Sequence, residues 1–364
     1  MRFTPWRCYW PSMINQASPL TTQSHLASLA YAYKPLLASA LLRAEVDDFQ
    51  VQENLSFQPS GLGNHVYLYI QKRLLTTEEL AKKIAALANV GSRDIGYAGL
   101  KDRNGVTSQW YSVDLSGKPA PDWQRLESDR VKLINVTRNE RKLKQGSISA
   151  NRFCITLRGV VGDQERLSER LTLIKFRGVP NYFAEQRFGI DEKNLAAAQQ
   201  LFAGTLKVKS RHLRGLYYSA ARSYLFNLVL SFRVKLNNWD QALIGDAMIL
   251  EGSHSFFIVN EIDDEVVRRV KLGDIHPSGP LWGRGESAAR ADARELELHA
   301  LKDCQLWQRG LEEHGLEQHR RALRLLPGEF TWEFENPALL RLVFTLPSGA
   351  YATGVVRELV NVDK

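Results

Sequence analysis

Tyr97-Ala98-Gly99-Leu100-Lys101-Asp102-Arg103-Asn104-Gly105-Val106-Thr107-Ser108-Gln109-Trp110 sets one acid between two cations inside a glycine-flanked turn. Asn-Gly between apolar runs is a strong two-residue hairpin signal. The stretch therefore predicts two antiparallel strands, over 95–98 and 107–113, with Asp102 near their turn. Flanking cations favour the charged form of an acid, so Asp102 is expected to be ionised at neutral pH. A carboxylate held anionic in a turn can serve as nucleophile or base. Taken alone, the same residues favour a plain structural hairpin, so the rest of the chain has to decide.

Working outward, period-two alternation predicts strands over 48–53 and 65–71, with Val66, Leu68 and Ile70 on one face. Thr76 and Glu79 form a capping box ahead of Leu80, Ile84 and Leu87, and Gly91 suits the end of that helix. Further strands are expected over 131–137 and 153–157. From about residue 165 helical spacing takes over, at 167–175, 194–202, 219–236 and 287–314, with a strand-like segment at 255–259. Alternation returns at Leu340, Leu342 and Phe344. Strands mixed with few helices imply an α+β domain with a mainly antiparallel sheet. The late return to that pattern implies a discontinuous domain interrupted by a helical insertion.

At 364 residues the chain is long enough for two domains with real cores. Its net charge of +8 points to a polyanionic partner, with nucleic acid the leading candidate. The charge is clustered. Arg130, Lys132, Arg138, Arg141, Lys142 and Lys144 stand against the single acid Glu140, and Lys207, Lys209, Arg211 and Arg214 have no acid among them. Such runs are either solvated faces or phosphate contacts, which position an RNA without reading its sequence. The three cysteines, Cys8, Cys154 and Cys304, are far apart and lack CxxC spacing. That argues for free thiols in a reducing cytoplasm, and against disulfides or zinc. No metal is expected: His314, Glu317 and His319 lie in a charged stretch that reads as a solvated helix face. No apolar run approaches the roughly 18 to 20 residues of a membrane span. The first residues lack a signal-peptide core and read as a weakly ordered extension, with Met13 an alternative start to Met1.

Several separated motifs, in order, resemble the TruD family of tRNA pseudouridine synthases along nearly the whole chain past that extension. Ala98-Gly99-Leu100-Lys101-Asp102-Arg103, with Thr107 and Gln109, is similar to the family's catalytic loop. Asp48-Phe49-Gln50-Val51-Gln52-Glu53 resembles its early strand motif, and Asn151-Arg152-Phe153 its Asn-x-Phe motif. Val179-Pro180-Asn181-Tyr182-Phe183 with Gln186-Arg187-Phe188-Gly189 is similar to its most recognisable signature. Ser219–Arg222 and Gly279–Gly283 resemble segments of its inserted domain, and Leu346–Thr353 with Val356–Leu359 its C-terminal strand. Two positions depart: Ala150 and Ala184 stand where the family usually or often has glycine.

The resemblance implies a pseudouridine-synthase catalytic domain with a mixed sheet over 39–176 and 326–364. A TruD-specific α/β insertion domain would span 177–325, after an N-terminal extension over 1–38. It implies isomerisation of uridine 13 of tRNA to pseudouridine, without a cofactor and with no obligatory protein partner evident. The C1′–N1 bond breaks, the uracil turns, and C5 bonds to C1′. Asp102 would act at the sugar, by attacking C1′ or by removing the C2′ proton. Phe153 is the natural surface for stacking a flipped base, and an aromatic on an alternating strand is equally a core residue. Asn151 shares its strand face and could orient either the carboxylate or the nucleotide. Phe49 and Tyr351 fall at substrate-contacting positions, with core packing the alternative. Arg43 is placed to pair with the catalytic acid or to be a surface cation, Glu53 to orient that arginine, and Lys101 to support the loop. Two other readings remain open: an RNA-binding protein on this scaffold without chemistry, and another RNA-directed enzyme such as a nuclease. Nucleases usually need paired carboxylates for metals, and Asp102 has no acidic neighbour nearby in sequence.

Overall fold

The computed structural model describes residues 25–363. The expected extension therefore lies outside the described residues as far as residue 24, together with Cys8 and Met13. From His25 onward the chain is packed into the body: Leu29 and Tyr33 are buried, Tyr33 Oη donates to the Gly178 carbonyl at 2.7 Å, and the Ala32 and Tyr33 amides donate to Glu358.

The first half runs β1 (Ala38–Leu42), β2 (Phe49–Leu55), β3 (His65–Arg73), α1 (Thr77–Ala88), β4 (Ile95–Tyr97), β5 (Val106–Asp114), β6 (Val131–Asn139), β7 (Ile148–Gly162) and α2 (Gln164–Arg177). The middle carries β8 (Val179–Pro180), α3 (Glu185–Phe188), α4 (Lys193–Phe202), α5 (Arg211–Lys235), β9 (Ala247–Leu250), β10 (Phe256–Ile258), α6 (Asp264–Leu272), β11 (Ile275–His276), β12 (Ser278–Leu281), α7 (Ala291–Ala300), α8 (Gln305–Glu313), β13 (His319–Ala322) and β14 (Arg324–Leu325). The chain closes with β15 (Gly328–Asn336), β16 (Leu339–Pro347), α9 (Ala352–Arg357) and β17 (Asn361–Asp363).

Strands from the two ends of the sequence form one ten-stranded sheet in the order β15-β16-β7-β2-β5-β3-β6, joined by β1, β4 and β17. Only β1–β17 and β2–β5 pair in parallel, so the sheet is mixed and mainly antiparallel. β7 is its spine and pairs with β1, β2 and β16. Val66, Leu68 and Ile70 share the expected face and pack against Leu80 and Ile84 of α1. A second, larger core joins Phe153, Ile155 and Phe344 of the sheet to Leu225, Phe226 and Val229 of α5. The middle segment and the sheet therefore share apolar contacts.

Four local expectations change. The connection between β4 and β5 is not a two-residue Asn-Gly turn. The strands pair from Tyr97–Tyr111 outward, and residues 98–105 form a wide loop. Gly105 crosses the start of β2 so closely that a Cβ would stand 2.7 Å from the Phe49 carbonyl oxygen. α1 does have its Thr76–Glu79 capping box, but it ends on Asn89 in the left-handed conformation, ahead of Gly91. α5 starts well before 219, because Ser210 caps it and draws Arg211 and Arg214 into its first turns. Residues 352–357 are helix rather than strand. Ala150 lies in β7 opposite Asn54 and Pro347, and Ala184 has φ −92°, so neither position needs glycine.

Candidate active site

Strand register builds the floor of a pocket. Val51 faces Phe153 and Glu53 faces Asn151 across β2 and β7, while Phe344 faces Phe153 from β16. Directly opposed residues share a face. The Phe153 ring stacks on Phe344 at 5.6 Å between centroids and meets Phe49 edge-on at 6.1 Å. Phe153 is thus a core residue that also lines the pocket. The cavity measures about 360 Å³ and is lined by Arg43, Phe49, Lys101, Asp102, Asn151, Phe153 and Tyr351 among others. Seven positions singled out in sequence meet there; the eighth, Glu53, lies beneath.

Asp102 reaches this pocket from the 98–105 loop. Arg43 Nη2 donates to Asp102 Oδ2 at 2.6 Å, and the Arg43 guanidinium lies 3.8 Å over the Phe49 ring. Arg43 itself has φ +62°, a left-handed conformation uncommon for a side-chain-bearing residue. The carboxylate on one side and the ring on the other hold it there; such strain collects at functional sites. Asp102 is about two-fifths exposed, so the pair is accessible from the pocket.

The sequence neighbours of Asp102 take other roles. Lys101 does not face Asp102; its Nζ lies 2.9 Å from Glu53 Oε2, with both side chains buried. The expectation that Glu53 orients Arg43 is therefore corrected: Glu53 pairs with Lys101 below the loop, and Arg43 pairs with Asp102 above it. Register explains the difference. Glu53 stands in β2 directly opposite Asn151, while Arg43 enters from the chain before β2. Burial raises the Glu53 pKa, and Lys101 opposes that shift.

The loop is held by groups beyond its own residues. The Lys101 amide donates to Thr77 Oγ1 at 3.0 Å, Thr77 Oγ1 donates to Gln109 Oε1 at 2.8 Å, and Gln109 Nε2 donates to the Gly99 carbonyl at 3.2 Å. The start of α1 and the middle of β5 thus clamp the segment carrying Asp102. Lys72 adds a further tether that sequence reading missed. Its buried Nζ donates to the Asp102 carbonyl at 3.1 Å and the Leu75 carbonyl at 2.7 Å. Burial lowers its pKa to about 8, with Asp102 opposing. A signal existed: Lys72 continues the inward parity of Val66, Leu68 and Ile70, where a lysine is out of place.

The basic candidates lie outside this pocket. Arg138, Arg141 and Lys144 are exposed and Lys142 half-buried, between the sheet edge at β6 and the start of β7. Lys207, Lys209 and Arg211 are exposed before and at the start of α5, and Arg214 is half-buried, donating to the Val208 carbonyl. None is among the pocket-lining residues. No helix among the described residues is long and apolar enough to cross a membrane.

A carboxylate presented beside aromatic and amide groups, on a mixed sheet interrupted by a helical segment, defines an enzyme-like cleft. Comparisons give it a family. The sequence profile of tRNA pseudouridine synthase D (TruD) matches residues 29–196 and 192–359. The chain is 51% identical over 339 residues to tRNA pseudouridine synthase D of Nitrosococcus oceani, covering 92% of this chain and 94% of that one. It is 45% identical over 335 residues to the protein of the same name from Methylococcus capsulatus, covering 92% and 95%. A solved structure from Methanosarcina mazei assigned to TruD shares the fold, with TM-score 0.73 at 21% identity over 92% of this chain and 96% of that one. The chain belongs to the TruD family of tRNA pseudouridine synthases.

Proposed function

We propose that this protein isomerises uridine 13 of tRNA to pseudouridine, with Asp102 acting at the ribose of a flipped-out uridine. The observation that carries this reading is the pocket-facing Asp102 carboxylate. It is paired with Arg43, tethered through its own backbone by Lys72, and set beside Phe153, Asn151 and Tyr351. Taking a base out of its stack costs a few kcal/mol. Stacking on the part of the Phe153 ring that lines the pocket would return about 1–3 kcal/mol of that. Phe49 and Tyr351 would close on the base, and Asn151, whose Oδ1 is buried without a partner, would accept from the nucleotide. Arg43 would hold the carboxylate in one rotamer, leaving the other oxygen for C1′ or the C2′ proton. Preorganisation of this kind is a large share of catalysis.

In the same reading, residues 39–176 and 326–364 act as the catalytic domain and 177–325 as the insertion. The basic stretches around 138–144 and 207–214 would contact tRNA phosphates away from the pocket, in the cytoplasm. A non-catalytic RNA-binding role would leave the Asp102–Arg43 arrangement without a use. Mapping pseudouridine in total RNA from cells lacking this protein tests the proposal. Position 13 of tRNA should revert to uridine and recover on re-expression; pseudouridine persisting there would refute it.

A further inference from the structure

Beside Tyr351, two arginines stand together without a carboxylate. Arg187 of α3 donates from Nε to Tyr351 Oη at 3.1 Å and from Nη1 to Ser219 Oγ at 2.9 Å. Arg321 of β13 donates from Nη2 to Asn181 Oδ1 at 2.6 Å and to the Gly349 carbonyl at 3.1 Å. Both guanidinium groups lie against the Phe183 ring, at 5.3 and 4.1 Å from its centroid. Among the described residues, no acidic oxygen comes within the 4.0 Å of an ion pair to either. Elsewhere, Arg233 and Arg320 are matched by buried Asp246 and Glu297. Arg170 and Arg324 instead direct their donors to several backbone carbonyls.

Arg187 and Arg321 retain unused donors. Nη2 of Arg187 and Nη1 of Arg321 make no hydrogen bond among the described residues, and Nε of Arg321 is enclosed without a partner. Burial lowers the Arg321 pKa to about 10, and Arg187 adds like-charge repulsion. Two crowded cations with spare N–H groups are short of an anion. Their contacts bear directly on the pocket wall, because Gln186, Gly349 and Tyr351 line the cavity that holds Asp102. A guanidinium fork matches two oxygens of a phosphate.

We propose that Arg187 and Arg321 form a phosphate site that grips the RNA phosphodiester adjoining the flipped uridine and so seats its ribose against Asp102. This rests on the tRNA reading above. It assigns the wall formed by 181–187 and 321 a role distinct from the exposed basic stretches: those would contact phosphates at a distance, whereas this pair fixes the reacting nucleotide.

Methylphosphonate RNA tests it, because replacing one phosphate by a neutral methylphosphonate removes the charge and leaves the base and ribose. Substrates carry the change on the 5′ or the 3′ side of the target uridine. For the wild-type protein, one of the two should weaken kcat/KM by about 10- to 100-fold, the range of hydrogen bonds to charged groups. The salt dependence of binding should become shallower by about one unit of slope. Arg187→Gln and Arg321→Gln should be weak on all-phosphate RNA and indifferent to that methylphosphonate. Arg187→Lys keeps the charge and should keep most of the penalty, so it serves if a glutamine variant fails to fold. No penalty at either linkage with the wild type, or a full penalty surviving in both glutamine variants, overturns the proposal. A wild-type protein inactive on all-phosphate tRNA would instead overturn the proposed function.

Discussion

Replacing Lys101 with methionine strands Glu53 beneath the loop that carries Asp102. The Glu53 side chain is 0% exposed and that of Lys101 8%, so almost no water can substitute for the lost ammonium. Removing one member of such a pair costs about 3–5 kcal/mol, because the remaining charge stays buried. That is a large part of the roughly 5–15 kcal/mol that stabilises a typical fold. At about 2 °C per kcal/mol for a larger chain, the melting temperature should fall by about 6–10 °C. The loss should depend on pH in a defined direction. Burial already raises the Glu53 pKa and Lys101 opposes that, so the variant raises it further. A carboxyl whose folded pKa lies above its unfolded value of about 4.3 gives most stability below that value, and the contribution is lost as pH rises through the folded pKa. The gap between Lys101→Met and wild type should therefore narrow as pH is lowered from 8 toward 5. Adding Glu53→Gln should recover much of the loss, with a coupling of about 2–3 kcal/mol in the double-mutant cycle. Urea unfolding across that pH range measures all four proteins. A single variant within about 1 kcal/mol of wild type at pH 7, or a gap that does not change with pH, would refute the reasoning.

Three further outcomes follow from the pocket. Arg43→Gln removes the charge holding Asp102 and should lower single-turnover rates about 10- to 100-fold while tRNA affinity changes little, since misplacement near 1 Å costs about 10²-fold. Phe153→Ala should cost about 3–5 kcal/mol in stability as a core deletion. Phe153→Leu should restore most of that yet leave turnover about 5- to 100-fold down, because an aliphatic chain cannot replace the 1–3 kcal/mol of base stacking; equal activity of Phe153→Leu and wild type would make the ring purely structural. Lys72→Met releases the Asp102 carbonyl and should slow the reaction without abolishing binding. Lys72 has a folded pKa of about 8, below its usual value near 10.4, so in the wild type the buried charge opposes folding at neutral pH and is relieved between those values. The stability of wild type relative to Lys72→Met should accordingly rise from pH 8 to 10 in thermal melts.

Much of this architecture was legible because it follows from local pattern. Val66, Leu68 and Ile70 alternate, Thr76 and Glu79 cap a helix, and Leu340, Leu342 and Phe344 repeat the rhythm late in the chain. The pairing of charges was legible only in part: the resemblance placed Arg43 to pair with Asp102, as it does, whereas the Lys101–Glu53 pair was hidden. Lys101 and Arg103 flank Asp102 in sequence, yet Arg43 reaches it in space, because the loop turns Lys101 down to Glu53. The loop's breadth was hidden for a related reason. Asn104-Gly105 favours a tight turn, and long-range contacts override it: Gly105 against the Phe49 carbonyl, and Gly99 and Lys101 against Gln109 and Thr77. Phe153 was readable as either core or stacking surface, and the structure makes it a core residue that also lines the pocket. Arg187 lay inside a recognised motif, but its lack of an acidic partner appears only when Arg321, far along the chain, is brought beside it.

The central claim is that the Asp102 carboxylate does chemistry at the ribose rather than holding RNA. Asp102→Asn keeps the size of the side chain and removes its charge. Under single-turnover conditions with tRNA bearing uridine at position 13, the variant should bind within a few-fold of wild type and form no pseudouridine above background. Pseudouridine formed at the wild-type rate would contradict the account.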